Sequence, residues 1–130
     1  MLPLFLYLYI FITMEDLISV LLHSVNQVHV FHLQTKSFAE HKALGGYYDS
    51  IGDVADELAE AYQGKYGILK YKNVSKIEQY ESKEQVIEYF DKIIKIIEKT
   101  RPIKDAFIDN VVQEIEKLIY QTLYKLKYLN

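Results

Sequence analysis

Two histidines on either side of a helix-start signal are the residues in this 130-residue chain best suited to bind a metal ion. Between His32 and His41, Ser37 and Glu40 match the capping box, in which the serine hydroxyl accepts from the N–H of the glutamate and the carboxylate reaches back. The pattern predicts that one helix ends near His32 and that the next begins at about Phe38. Both imidazoles would then lie at the same end of a helical hairpin.

A row of acidic residues follows on the second predicted helix. Its members are spaced by four, three and four residues, which places them on one side of the helix, and they are Asp49, Asp53, Asp56 and Glu60. The opposite side is apolar and carries Leu44, Tyr47, Ile51, Val54 and Leu58. Two interpretations stay open: the row is a solvated helix face, or its carboxylates bind iron, manganese or zinc together with the imidazoles.

This hairpin resembles the first two helices of ferritin-like proteins, and specifically of the Dps family of small iron-storing, DNA-protecting proteins. The resemblance covers roughly residues 15–63 and rests on the two histidines and on the D-E-L-A-E segment at 56–60. In that family, residues in this pattern bind iron between two subunits. The resemblance therefore implies an iron site, at most a ferroxidase-like activity, and the ligands His32, His41, Asp56 and Glu60.

The chain departs from the Dps pattern at two positions. Gly45 stands where an aspartate is expected one turn after the second histidine, and Leu33 replaces a tryptophan. Asp49, one turn further along, could substitute as a ligand. The run H-L-Q-T-K-S-x-A-E-H-K-A-L is closer still to short, uncharacterised tailed-phage proteins. The alternative function is therefore a metal-free phage accessory or structural protein that uses the helices for protein contacts.

The other two histidines, His23 and His29, lie on the first predicted helix. Lone histidines near an apolar face commonly form structural hydrogen bonds, and we interpret both in this way. His29 and His32 are also i,i+3 neighbours, so they could chelate a metal together.

Helical periodicity continues through the rest of the chain. The predicted helices span about 15–35, 38–63, 83–100 and 103–128. Gly64 is the expected stop of the second helix, and Ser82 and Gln85 form the capping box of the third. Residues 64–81 have no clean period and suit the long crossover of a ferritin-like bundle. The fold class we predict is an all-α, ferritin-like four-helix bundle with a long crossover between helices 2 and 3.

Composition excludes several kinds of site. The chain has no cysteine, so neither a disulfide framework nor a thiolate metal site can form. Its net charge of −3 argues against a nucleic-acid binder. The resemblance to Dps proteins, whose iron sites lie between subunits, implies a homo-oligomer. No histidine follows His41, so the paired Glu-x-x-His sites of a di-iron centre inside the bundle are absent. Nucleophile elbows and phosphate-binding glycine loops are also missing.

Residues 1–13 are an apolar leader that differs in composition from the single domain predicted at 14–130. The run is shorter than the ~20 residues of a spanning helix and lacks a basic start or a small-residue cleavage site. It is interpreted as a non-native or misassigned extension, or as an element packed on the bundle in an oligomer; a membrane anchor or an atypical signal is the other possibility. Without an anchor, we expect a cytoplasmic protein, in the host cytoplasm if a phage encodes it.

Overall fold

A computed structural model of the protein describes residues 12–130. Its four helices are α1 (Met14–Gln34), α2 (Phe38–Tyr66), α3 (Lys83–Lys99) and α4 (Ala106–Tyr128). α1 and α4 each pack against both α2 and α3. Residues 12–130 contain no strand, and none of their helices is long and apolar enough to span a membrane. The predicted all-α four-helix architecture, with a long connection between α2 and α3 at 67–82, is confirmed.

The start of α1 includes two residues of the predicted leader, whose first eleven residues lie outside the described part of the chain. Ile12 is buried in the core. The Thr13 hydroxyl accepts from the N–H of Asp16 at 3.2 Å, and the N–H of Thr13 donates to the Asp16 carboxylate at 2.9 Å. Because this capping box starts α1, the packed structure begins at least two residues before Met14.

Capping serines start α2 and α3. The Ser37 hydroxyl accepts from the N–H of Glu40 as predicted, but the Glu40 carboxylate accepts from the Tyr80 hydroxyl at 2.7 Å instead of returning to Ser37. At α3, Ser82 and Gln85 form both hydrogen bonds of the predicted capping box. The capping box of α3 is therefore complete, whereas at the start of α2 the Glu40 carboxylate bonds to Tyr80 of the crossover instead.

α2 is longer than the sequence predicts. The helix passes through Gly64 and ends at Tyr66, so the predicted stop at Gly64 is wrong. The residue with a positive φ, +97°, is Gly67, and its N–H donates to the Gln63 carbonyl at 2.9 Å. A glycine inside the last turn, such as Gly64, lowers the stability of a helix without ending it. The helix ends before Gly67, whose positive φ is a backbone conformation that favours glycine.

α4 begins at Ala106, three residues after the predicted start at Ile103. Asp105 is the N-cap residue but makes no side-chain capping hydrogen bond. Its carboxylate instead accepts from Lys65 and Tyr66 at the end of α2. This tertiary contact competes with the local cap and fixes the start of α4 against the end of α2.

The crossover at 67–82 follows α1 from its first turn to its last. Crossover residues bond to α1 at intervals of about two turns: Lys72 N–H to the Ser19 hydroxyl, Glu78 N–H and C=O to the Gln27 side chain, and Tyr80 N–H to the Gln34 side chain. The chain therefore returns to the end of the bundle where α2 begins. α3 then runs in the same direction as α2, and α4 runs antiparallel to both.

Candidate metal site at the hairpin of α1 and α2

The two candidate histidines bond to each other's helix. Nδ1 of His32 lies 2.7 Å from the His41 carbonyl oxygen, and Nδ1 of His41 lies 3.0 Å from the His32 carbonyl oxygen. Their rings stack at a centroid distance of 3.7 Å. A carbonyl oxygen only accepts, so both Nδ1 atoms must carry the proton. In the neutral rings, each Nε2 then keeps the lone pair that a metal ion needs.

Gly45 makes room for this histidine pair. A Cβ atom at position 45 would lie 3.1 Å from Cε1 and 3.3 Å from Nδ1 of His32, which is tighter than most Cβ contacts. An aspartate at Gly45 would therefore crowd the ring that closes the hairpin. This steric relationship favours glycine at position 45.

Tyr48 joins the imidazoles into an aromatic cluster that the sequence did not predict. Its ring contacts His32 edge-on at 5.0 Å and stacks on His29 at 4.2 Å. His29 and His32 have ring centroids 6.1 Å apart. The available signal was the spacing, because Tyr48 lies two helical turns after His41 and so shares its side of α2.

The acidic row lies on the exposed side of α2, as predicted. Its four members, Asp49, Asp53, Asp56 and Glu60, are all exposed, while Leu44, Tyr47, Ile51 and Leu58 on the other side are fully buried. Hydrogen bonding to Asp56, and the charge of that carboxylate, raise the pKa of Glu60. Asp56 and Glu60 are therefore neighbours that could hold a cation between them.

The histidine pair and the carboxylate pair lie at different heights on α2. His41 and Asp56 are separated by about 22 Å along the helix axis, at 1.5 Å per residue. Within residues 12–130, no three His, Asp or Glu side chains gather at one point that could hold a metal ion. The structure therefore does not bring the predicted ligands of one chain together, and Asp49 lies between the two pairs along α2.

His23 has the structural role predicted for it. Nδ1 lies 2.9 Å from the Tyr89 hydroxyl and Nε2 lies 3.2 Å from the Ser75 hydroxyl, joining α1 to α3 and the crossover. Burial lowers the pKa of His23 and raises that of Tyr89. Three more polar residues on this side of α1, Asp16, Ser19 and Gln27, bond to the crossover and were not predicted. Their signal in the sequence is the recurrence of Asp16, Ser19, His23 and Gln27 at three- and four-residue spacings.

Comparison with known protein families identifies a family for this chain. Residues 32–126 match a family described as a family of unknown function, DUF5856. The chain belongs to the DUF5856 family. No curated protein and no solved structure matches it. The DUF5856 match begins at His32 and includes the other candidate ligands, His41, Asp49, Asp56 and Glu60, together with the crossover and most of α4.

Proposed function

We propose that the protein binds a divalent cation such as Fe(II) between two subunits. His32 and His41 of one subunit would supply imidazole Nε2 atoms, and Asp56 and Glu60 of the other would supply carboxylates. Asp49 is a further candidate carboxylate. The resemblance to Dps proteins suggested this ligand set, and the separation of the histidine pair from Asp56 and Glu60 is consistent with a site shared between subunits.

The observation that carries the proposal is the pair of hydrogen bonds from Nδ1 to a carbonyl oxygen. Metal-binding histidines usually donate their second ring N–H to a carbonyl or a carboxylate, which fixes the tautomer and the orientation of the ring. His32 and His41 already hold this arrangement. Imidazole and carboxylate ligands together suit iron, manganese and zinc.

Metal uptake by the full chain tests the proposal. The protein is equilibrated with Fe(II) without oxygen, desalted and measured for bound iron alongside its mass in solution. We expect stoichiometric iron on a dimer or a larger assembly, and loss of that iron in the Asp56→Asn, Glu60→Gln double variant. Asp53→Asn is the matched control, because it removes an exposed carboxylate of the same row that is not a proposed ligand.

Iron that is retained in the double variant, or absent from the unaltered protein, would contradict the proposal. A second function would then be favoured, in which the bundle binds protein partners without metal. The observation that supports this alternative is an exposed aromatic row on α4, where Tyr120, Tyr124 and Tyr128 are each more than half exposed.

A further inference from the structure

The outer sides of α2 and α4 form one continuous face, here called the α2/α4 face, with different chemistry at its two ends. At the end where α2 begins and α4 finishes, a groove is lined by the apolar side chains of Phe38 and Leu129 and by the lysines Lys42 and Lys125. Phe38 is 75% exposed, so much of its ring is uncovered. This end offers an apolar groove beside two positive charges.

The opposite end of the face has the complementary chemistry. A shallow depression there includes Glu57 of α2 and Phe107 and Glu114 of α4. The Phe107 side chain is 49% exposed, and Glu114 pairs with Lys117 of its own helix at 3.0 Å, with both side chains largely in solvent. This end offers a half-exposed aromatic ring, with Lys65 Nζ 5.9 Å from its centroid, beside the carboxylates of Glu57 and Glu114.

We propose that the α2/α4 face binds a second copy of this chain around a two-fold axis. When the two-fold axis runs across the helices, each end of the face meets the opposite end of its partner. Lys42 and Lys125 of one copy then lie opposite the partner's Glu57 and the partner's Glu114. The partner's Phe107 enters the groove beside Phe38. The charges at the two ends of the face are therefore complementary, whereas Asp49 and Asp53 of the acidic row lie near the axis.

The two charge pairings place the two-fold axis at nearly the same height on α2 and on α4. Pairing Lys42 with Glu57 centres the axis between residues 49 and 50 of α2, and pairing Lys125 with Glu114 centres it between residues 119 and 120 of α4. The groove places Ala43 beside Lys125, and the acidic end places Glu57 beside residue 111, so residue 50 of α2 is level with residue 118 of α4. The two estimates differ by about 2 Å along the helices.

The size and composition of the face suit such a contact. Gly46 and Ser50 near the centre are small and exposed, and nothing lies within 4 Å of a Cβ placed on Gly46, so a partner helix can approach closely. Two helices of this length, about 10 Å apart, present on the order of 600 Å² per copy. The total of about 1,200 Å² is at the lower end for a specific interface.

The pairing does not depend on metal, although it bears on the proposed function. The same register on α2 brings His41 of one copy opposite residue 58 of the partner, between the two proposed carboxylate ligands. This last step rests on the proposed function, whereas the α2/α4 face stands on its own complementarity. A dimer that forms through the α2/α4 face without binding metal would support the pairing and contradict the metal site. Failure of one proposal can therefore be distinguished from failure of the other.

A charge-swap experiment on the full chain tests the pairing by analytical ultracentrifugation without metal. The first variant carries Lys42→Glu and Lys125→Glu, and the second carries Glu57→Lys and Glu114→Lys. Each variant alone places like charges opposite one another at four positions per dimer, so we expect its dissociation constant to rise at least about 100-fold. When the two variants are mixed, every facing pair is attractive again, and a heterodimer should form.

The mixture guards against a trivial loss through misfolding, because misfolded chains would not pair again. Lys70→Glu combined with Lys95→Glu is the matched control, since both lysines are exposed and lie away from the α2/α4 face. This control should dimerise like the unaltered chain. A monomeric unaltered protein, a dimer that is indifferent to both variants, or variants that fail to pair on mixing would overturn the proposal.

Discussion

A methyl group placed on Gly45 would lie 3.1 Å from the Cε1 atom of His32. A side chain at position 45 would therefore require the His32 ring to shift by a few tenths of an ångström. A glycine inside a helix costs about 1 kcal/mol relative to alanine. That cost is offset here by the stacked imidazoles and by the two hydrogen bonds that they donate to main-chain carbonyls.

The neighbouring glycines provide a matched test of this relationship. Gly46→Ala should raise the free energy of unfolding by about 0.5–1 kcal/mol, because nothing lies within 4 Å of the added methyl and alanine favours a helix. The free energy of unfolding of Gly45→Ala should be at least about 1 kcal/mol lower than that of Gly46→Ala, because the added methyl at position 45 displaces the His32 ring. Urea unfolding measures both, and equal stabilisation by the two substitutions would contradict the steric role of Gly45.

Gln27 should be the most important polar contact between α1 and the crossover. It is fully buried, and its amide accepts from the Glu78 N–H at 2.7 Å and donates to the Glu78 carbonyl at 2.9 Å. Gln27→Ala should cost about 2–4 kcal/mol of unfolding free energy, since two main-chain groups lose their partners. Amide exchange near Glu78 should also quicken. The exposed Gln34→Ala is the control, and a comparable loss in that variant would refute the special role of Gln27.

Asp16 should make the stability of the protein sensitive to acid. Burial alone would raise the pKa of Asp16, but Lys72 and the hydrogen bonds from Thr13 bring it below its ordinary value. The stabilisation is therefore present above the unfolded-state pKa of about 3.9 and is lost as the pH falls through the lower folded-state pKa. Asp16→Asn should be less stable than the unaltered protein by about 2 kcal/mol at pH 7, on the scale of hydrogen bonds to a charged group.

That difference should shrink when unfolding is measured near pH 3. The exposed Asp49→Asn serves as the control and should change stability by less than about 0.5 kcal/mol at either pH. A gap between Asp16→Asn and the unaltered protein that stays constant with pH would rule out the charge of Asp16 as its cause.

His23 should make the stability of the protein depend on pH in a higher range than Asp16 does. Burial lowers the pKa of His23, although the nearby main chain of Ser75 and Lys76 and the charge of Glu78 oppose that shift. The unfolded chain then takes up a proton near pH 6.5 while the folded chain does not, so stability falls as the pH is lowered through that range. The advantage of the unaltered protein over His23→Gln should be largest at pH 7 and smaller near pH 5.5. Chemical unfolding at both values checks this, and an advantage that grows in acid would exclude it.

The sequence alone predicted what depends on local pattern. Helical periodicity gave four helices, the spacing of the acids gave the two sides of α2, and Ser82 with Gln85 gave the start of α3, because each of these features involves residues within one or two turns. His32 and His41 were also placed correctly at one end of a hairpin. Their identity as metal ligands came from a resemblance and stays a prediction.

Only the tertiary structure decided the features that join distant segments. Glu40 turns from its own helix to Tyr80, and Asp105 turns from capping α4 to Lys65 and Tyr66. No local pattern encodes these partners, since they lie about forty residues away. The exchange of carbonyl bonds between His32 and His41 likewise depends on how closely two helices approach, and that distance is set by the packing of side chains along the whole hairpin.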